Sequence, residues 1–134
     1  FWRAIGISVG KDAKNIKLFN KNEIESNFKK HQEVIRSKNF KIQSANNIIE
    51  IFKCLETHQL QLILDRHLDP DRVKKYGTPD LFLFSEHKTT QSISRACFVE
   101  VKRPNEPLSN DQINEINFLR NIGLRSRVFR LIEA

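Results

Sequence analysis

The sequence predicts a mixed α/β domain with a small sheet, and three observations lead there. Apolar residues recur at helical spacing through the middle of the chain, strand-like runs begin after Gly77, and a helix followed by a strand closes the sequence. With 134 residues, 39% hydrophobic and 29% charged, the chain is expected to fold as one globular domain rather than remain disordered.

Residues 1–20 read as a short extended segment, with Trp2, Ile5, Ile7 and Val9 alternating before Gly10, and then a basic loop. Asn22 is placed to cap a helix running to about Ser37, with Ile24, Phe28 and Ile35 as its sparse apolar side. Ser44 caps a clearer helix, in which Ile48, Ile49, Ile51, Phe52 and Leu55 recur at helical spacing. A third helix is expected from about His58 to Leu68, carrying Leu60, Leu62, Ile63 and Leu64. Asp69-Pro70-Asp71 ends it, because proline disfavours helix at the residue before it.

Leu81-Phe82-Leu83-Phe84 is a continuous apolar run, the pattern of a strand buried on both faces. A polar loop, about Ser85 to Ser92, leads to a second strand over Ile93 to Lys102, bounded by Pro104 and Pro107. Ser109 to Ile122 reads as a helix with Ile113, Ile116, Leu119 and Ile122 on one stripe and Gly123 as its C-terminal stop. Arg125 to Ile132 alternates basic and apolar residues and reads as a last strand.

Charge points to a partner class. The net charge is +7, and residues 1–41 hold ten Lys or Arg against four acids, whereas residues 42–134 hold thirteen against twelve. Cations gathered in one segment release counterions from a polyphosphate, so Lys29, Lys30 and Lys38 are candidate DNA contacts, with a solvated lysine-rich surface as the plain alternative. Cys54 and Cys97 lie far apart in apolar settings, as reduced intracellular cysteines do, and no C-x-x-C or paired-histidine spacing suggests zinc. No apolar stretch approaches the roughly 20 residues of a membrane span, and no signal peptide is expected. The chain opens on Phe1 and is expected to be part of something longer.

The chemistry is expected at Pro79-Asp80 and, twenty residues on, Glu100-Val101-Lys102. Alternation along a strand puts Glu100 and Lys102 on one face and Val101 on the other. Pairing of adjacent strands would bring Asp80 beside Glu100. Two converging carboxylates repel, and a divalent cation such as Mg²⁺ resolves the repulsion while keeping sites for water and phosphate. Lys102 would orient or deprotonate a water, or stabilise charge on the phosphate. The ordinary alternative makes Asp80 a turn residue and Glu100 with Lys102 a solvent-facing pair on an edge strand. Ser109-x-x-Gln112 is a capping-box pattern, which by itself makes Gln112 a structural residue.

Gly77-Thr78-Pro79-Asp80-Leu81, Phe98-Val99-Glu100-Val101-Lys102-Arg103-Pro104-Asn105, Leu108-Ser109 and Gln112 together resemble the virus-type replication-repair nuclease domain, VRR-NUC, a branch of the PD-(D/E)XK nuclease superfamily. The ordered match runs from about Gly77 to Ile132, and residues 44–76 resemble more loosely the region before the motif in the Fanconi-associated nucleases. The resemblance implies a restriction-endonuclease-like core over residues 44–134, a small mixed sheet flanked by helices; residues 1–43 add little to the match and read as a basic N-terminal helical extension, part of the same domain or the end of a preceding one. It implies Asp80, Glu100 and the main-chain carbonyl of Val101 as metal ligands, Lys102 as the catalytic lysine, and Gln112 reaching the site from the following helix. It also implies Mg²⁺ or Mn²⁺ as cofactor and branched or 5′-flapped DNA as substrate, in repair or replication inside the cell, in the nucleus of a eukaryote. Arg103 stands where the family usually has glycine and is a candidate phosphate contact, and Arg125, Arg127 and Arg130 are either phosphate contacts or solvated charges on an edge strand. The family's upstream metal-binding glutamate has Glu50 and Glu33 as candidates by position. A restriction-like or junction-resolving nuclease and a DNA-binding module without catalysis are the competing functions.

Overall fold

The computed structural model describes residue 2 and residues 21–38, 44–69, 77–84 and 96–132. The chain divides into two compact units, Phe1–Val73 and Lys74–Ala134.

The described residues of the first unit form α1 (Lys21–Lys38), α2 (Ala45–Cys54) and α3 (Thr57–Leu68). Ile24, Phe28 and Ile35 of α1 pack with Ile48 and Ile49 of α2 as one buried cluster, Ala45 against it. The sparse apolar side read from the sequence therefore faces a partner helix. At His31 the backbone leaves helical values (φ −117°, ψ 16°), so α1 is kinked midway. Ser44 and Asn47 tie the start of α2: Asn47 Oδ1 accepts from the Ser44 N–H at 3.2 Å and from its hydroxyl at 3.1 Å. In α3, Gln59 Oε1 accepts the Glu56 N–H at 3.0 Å, and Leu60, Ile63, Leu64 and His67 are buried. Leu62, expected among the apolar side, is 44% exposed. Helix periodicity accounts for this, since Leu62 lies about 200° around the helix from Leu60.

The second unit carries β1 (Leu81–Leu83), β2 (Cys97–Lys102), α4 (Asn110–Asn121) and β3 (Arg125–Arg130). The sheet order is β1-β2-β3. β2 pairs antiparallel with β1, with Leu81 opposite Val99 and Leu83 opposite Cys97. It pairs parallel with β3, with Phe98 opposite Ser126, Glu100 opposite Val128 and Lys102 opposite Arg130. A parallel pair needs a crossover connection, and α4 supplies it. Helix α4 starts at N-cap Ser109 and ends at Gly123, whose φ of 91° is in the left-handed region. The Leu124 N–H reaches back to the Leu119 carbonyl (2.9 Å) and the Gly123 N–H to the Arg120 carbonyl (3.0 Å), closing the helix as a Schellman turn.

Two expectations are corrected. Among the described strands β1 lies at the edge, and Leu81 (42%), Leu83 (45%) and Phe84 (39%) are exposed rather than buried on both faces. A continuous apolar run does not say which of its faces is covered. Phe82 is the member that turns inward, its ring centroid 4.8 Å from that of Phe98. In α4 the buried stripe is Glu115, Ile116 and Leu119, while Ile113 is 40% exposed. Gln112, not Ile113, falls on the helical stripe of Glu115, Ile116 and Leu119, and its side chain donates to a carboxylate on β2. The extended segment expected over residues 1–20 and the loop over 85–92 lie outside the described residues except at Trp2, which is buried and helical rather than extended.

Candidate active site

Glu100 and Lys102 stand two residues apart on the central strand, on the face that also carries Phe98. Glu100 is 4% exposed and Lys102 6%, so neither is the solvent-facing pair of an edge strand. Burying a charge is costly unless it is paired, and here the Lys102 Nζ lies 3.4 Å from Glu100 Oε1.

Asp80 immediately precedes β1, so the antiparallel register carries it opposite Glu100. Its Oδ2 accepts the Val101 N–H at 2.8 Å, a bond that fixes the carboxylate against the edge of β2. Pro79 is buried beside it and locks φ at the entry to the strand. Burial pushes the Glu100 carboxyl above its ordinary value, and the like charge of Asp80 pushes it further; Lys102 and the Asp80 main chain pull the other way without prevailing. The site therefore holds a carboxylate pair against its electrostatic preference.

Gln112 occupies the third position of α4 and serves two partners. Its Oε1 accepts the Ser109 N–H at 3.0 Å and its N–H donates to the Ser109 hydroxyl at 3.2 Å, completing a capping box. The same carboxamide donates through Nε2 to Glu100 Oε1. The cap and the approach to the site are thus one arrangement, since an amide has an acceptor at one end and a donor at the other.

Sequence reasoning missed Glu106. Its Oε1 accepts from Lys102 Nζ at 3.1 Å and its Oε2 from the Arg103 N–H at 3.1 Å. Arg130 holds the turn from outside, donating to the Glu106 carbonyl at 2.5 Å. Asn105, at φ 62°, takes the left-handed conformation that returns the chain towards β2. Burial works against the Lys102 charge, yet the bonds and charges of Glu106 and Glu100 outweigh it and hold the ammonium above the ordinary lysine value. Glu106 is drawn below its own usual range, first by the Arg103 N–H and then by Lys102. The signal was an acid four residues after the lysine, across a Pro-Asn turn.

A family model described as the VRR-NUC domain matches residues 20–131. The chain belongs to the VRR-NUC family. No curated protein and no solved structure is significantly similar to it. As a VRR-NUC domain it is a nuclease-type, DNA-processing domain, and DNA is its substrate class.

The remaining candidate residues of this VRR-NUC chain are more dispersed. Arg103 is exposed directly after Lys102. Arg125 and Arg127 are exposed on β3 opposite Cys97 and Val99, so strand alternation puts them on the other face of the sheet from Glu100 and Lys102. Lys29 and Lys30 are exposed on α1, and the Lys38 side chain lies outside the described residues. Glu33 is exposed on α1, and Glu50 bonds Lys53 at 2.8 Å; both belong to the first unit. No described helix is long and apolar enough to cross a membrane.

The VRR-NUC resemblance implies a divalent cation. Among the described residues no three His, Cys, Asp or Glu gather, so Asp80 and Glu100 stand as a pair. The chemistry of that donor set suits a hard cation: burial first and then the like charge of Asp80 raise Glu100, a dication offsets both, and Mg²⁺ is commonly bound by one or two carboxylates with phosphate and water completing its shell. The Val101 N–H points to the β1 edge, and in a strand the carbonyl of the same residue points to the same edge, towards Asp80.

Proposed function

We propose that the chain hydrolyses phosphodiester bonds in DNA with Mg²⁺ or Mn²⁺ as cofactor, on a PD-(D/E)XK core, and that it prefers branched or 5′-flapped DNA in repair or replication. The observation that carries this reading is the convergence of Asp80, Glu100, Lys102 and Gln112 at the mouth of β1 and β2. Asp80, Glu100 and the Val101 carbonyl would hold the cation, which when bound supplies Lewis-acid activation of a water and of the phosphate.

The chain's own residues do the rest. Lys102, kept as an ammonium by Glu106 and Glu100, has no lone pair with which to act as a base. Its part is to place positive charge where charge grows on the phosphate as water adds and the P–O bond to the leaving sugar oxygen breaks. Gln112 holds Glu100 in one orientation, so the carboxylate need not reorganise during the reaction. The flap preference rests on the looser resemblance of residues 44–76 to the Fanconi-associated nucleases, while the basic N-terminal third of the chain supports DNA only as a polyphosphate partner.

Cleavage of a labelled 5′-flap, a plain duplex and a four-way junction, with Mg²⁺ and with EDTA, tests this. Wild type is expected to cut the flap fastest and only with metal, while Asp80→Ala loses cleavage and retains DNA binding in EDTA. Equal cleavage by wild type and Asp80→Ala would remove the site assignment. Preference for the four-way junction would replace flap processing with junction resolution.

A further inference from the structure

Gly77 begins the Gly-Thr-Pro-Asp segment, and its backbone does not call for glycine. The one described glycine with positive φ is Gly123, so Gly77 is not held in the left-handed region that favours glycine. What Gly77 lacks is room. A Cβ there would lie 3.1 Å from Gln112 Cγ, and 3.6 Å from both the Gln112 Cα and N. The first separation is well inside the roughly 3.5–4.0 Å of an optimal carbon contact, so one partner would have to move. Gln112 has little freedom to do so. Its main-chain N–H is held by the Ser109 hydroxyl, its Oε1 by the Ser109 N–H and its Nε2 by Glu100.

We propose that Gly77 is a positioning residue, whose missing side chain is the space in which the Gln112 carboxamide lies between Ser109 and Glu100. A larger residue at position 77 pushes Cγ away and swings the amide off the carboxylate. The catalytic consequence rests on the nuclease reading above; the steric coupling does not.

A double-mutant cycle in the full chain separates the two. Gly77→Ala is expected to lower Tm in the wild-type background. In the Gln112→Ala background it should leave Tm unchanged or raise it, because alanine restricts the unfolded chain and no Cγ remains to be struck. An equal loss in both backgrounds would overturn the proposal. As a second measurement, the Gln112 side-chain amide resonances should shift in Gly77→Ala, and unshifted resonances would equally overturn it. In cleavage assays Gly77→Ala should lower kcat about tenfold or more at nearly constant KM, and have no further effect on Gln112→Ala. A rise in KM with kcat unchanged would make Gly77 a substrate contact instead. If wild type cuts no DNA, the nuclease reading falls, while the melting cycle still decides the role of Gly77.

Discussion

Gln112 donates its amide to the buried carboxylate of Glu100 while its other end closes the first turn of α4 on Ser109. One side chain thereby registers a helix against the central strand. Cap and site can be separated by mutation. Ser109→Ala removes the hydroxyl that accepts the Gln112 N–H and should cost about 1 kcal/mol of stability with cleavage largely kept. Gln112→Ala should lose similar stability and, in addition, most of kcat. Urea melts alongside single-turnover cleavage measure both, and parallel losses of kcat in the two variants would mean that only the cap matters.

Glu106 bonds both Lys102 and the Arg103 N–H. Glu106→Gln keeps an acceptor for the main chain and loses the charge that holds the ammonium. Its kcat is expected to drop roughly tenfold and its Tm to fall modestly at neutral pH, since the ionised carboxylate that the fold favours is lost along with the bond that places Lys102. Full activity in Glu106→Gln would show that Glu100 suffices to place Lys102.

Glu100 has its folded pKa raised above the ordinary 4.5, so ionising it costs the folded state more than the unfolded one. Its charged form therefore weakens the fold at neutral pH, and the penalty disappears as pH falls through the raised value and then through 4.5. Glu100→Gln should melt higher than wild type at pH 7 without metal, the gap closing in acid, and should be inactive. Mg²⁺ is expected to raise the wild-type Tm by mass action and to leave Glu100→Gln and Asp80→Ala nearly unmoved. A metal-induced shift of equal size in all three would place the cation elsewhere.

Lys29 and Lys30 are exposed on α1. Reversing both to Glu should weaken DNA binding in EDTA and reduce the slope of log K against log salt by about 0.9 for each phosphate that these lysines neutralise. An unchanged slope would identify them as solubilising charges.

Much of this was legible in the residues. The helix and strand order followed from apolar spacing, and the Ser44 and Ser109 starts followed from cap residues just before apolar periodic runs. Gly123 was recognisable as a stop because glycine takes positive φ at little cost. The exposure of β1 was not legible, because an apolar tetrad reads the same whether one face or two are covered. Glu106 was overlooked because its partner lies across a turn whose closure depends on the Asn105 conformation.

The order of residues alone determined that Glu100 and Lys102 share a strand face and that Asp80 stands at a strand entrance, since backbone geometry makes alternation unavoidable. Only the tertiary structure decided that this strand is central, that the acid and the lysine are buried together, and that Gln112 reaches them from α4. Those outcomes depend on strand pairing and on helix placement over the sheet. Such long-range contacts are chosen by the packing of the whole unit and by no local pattern.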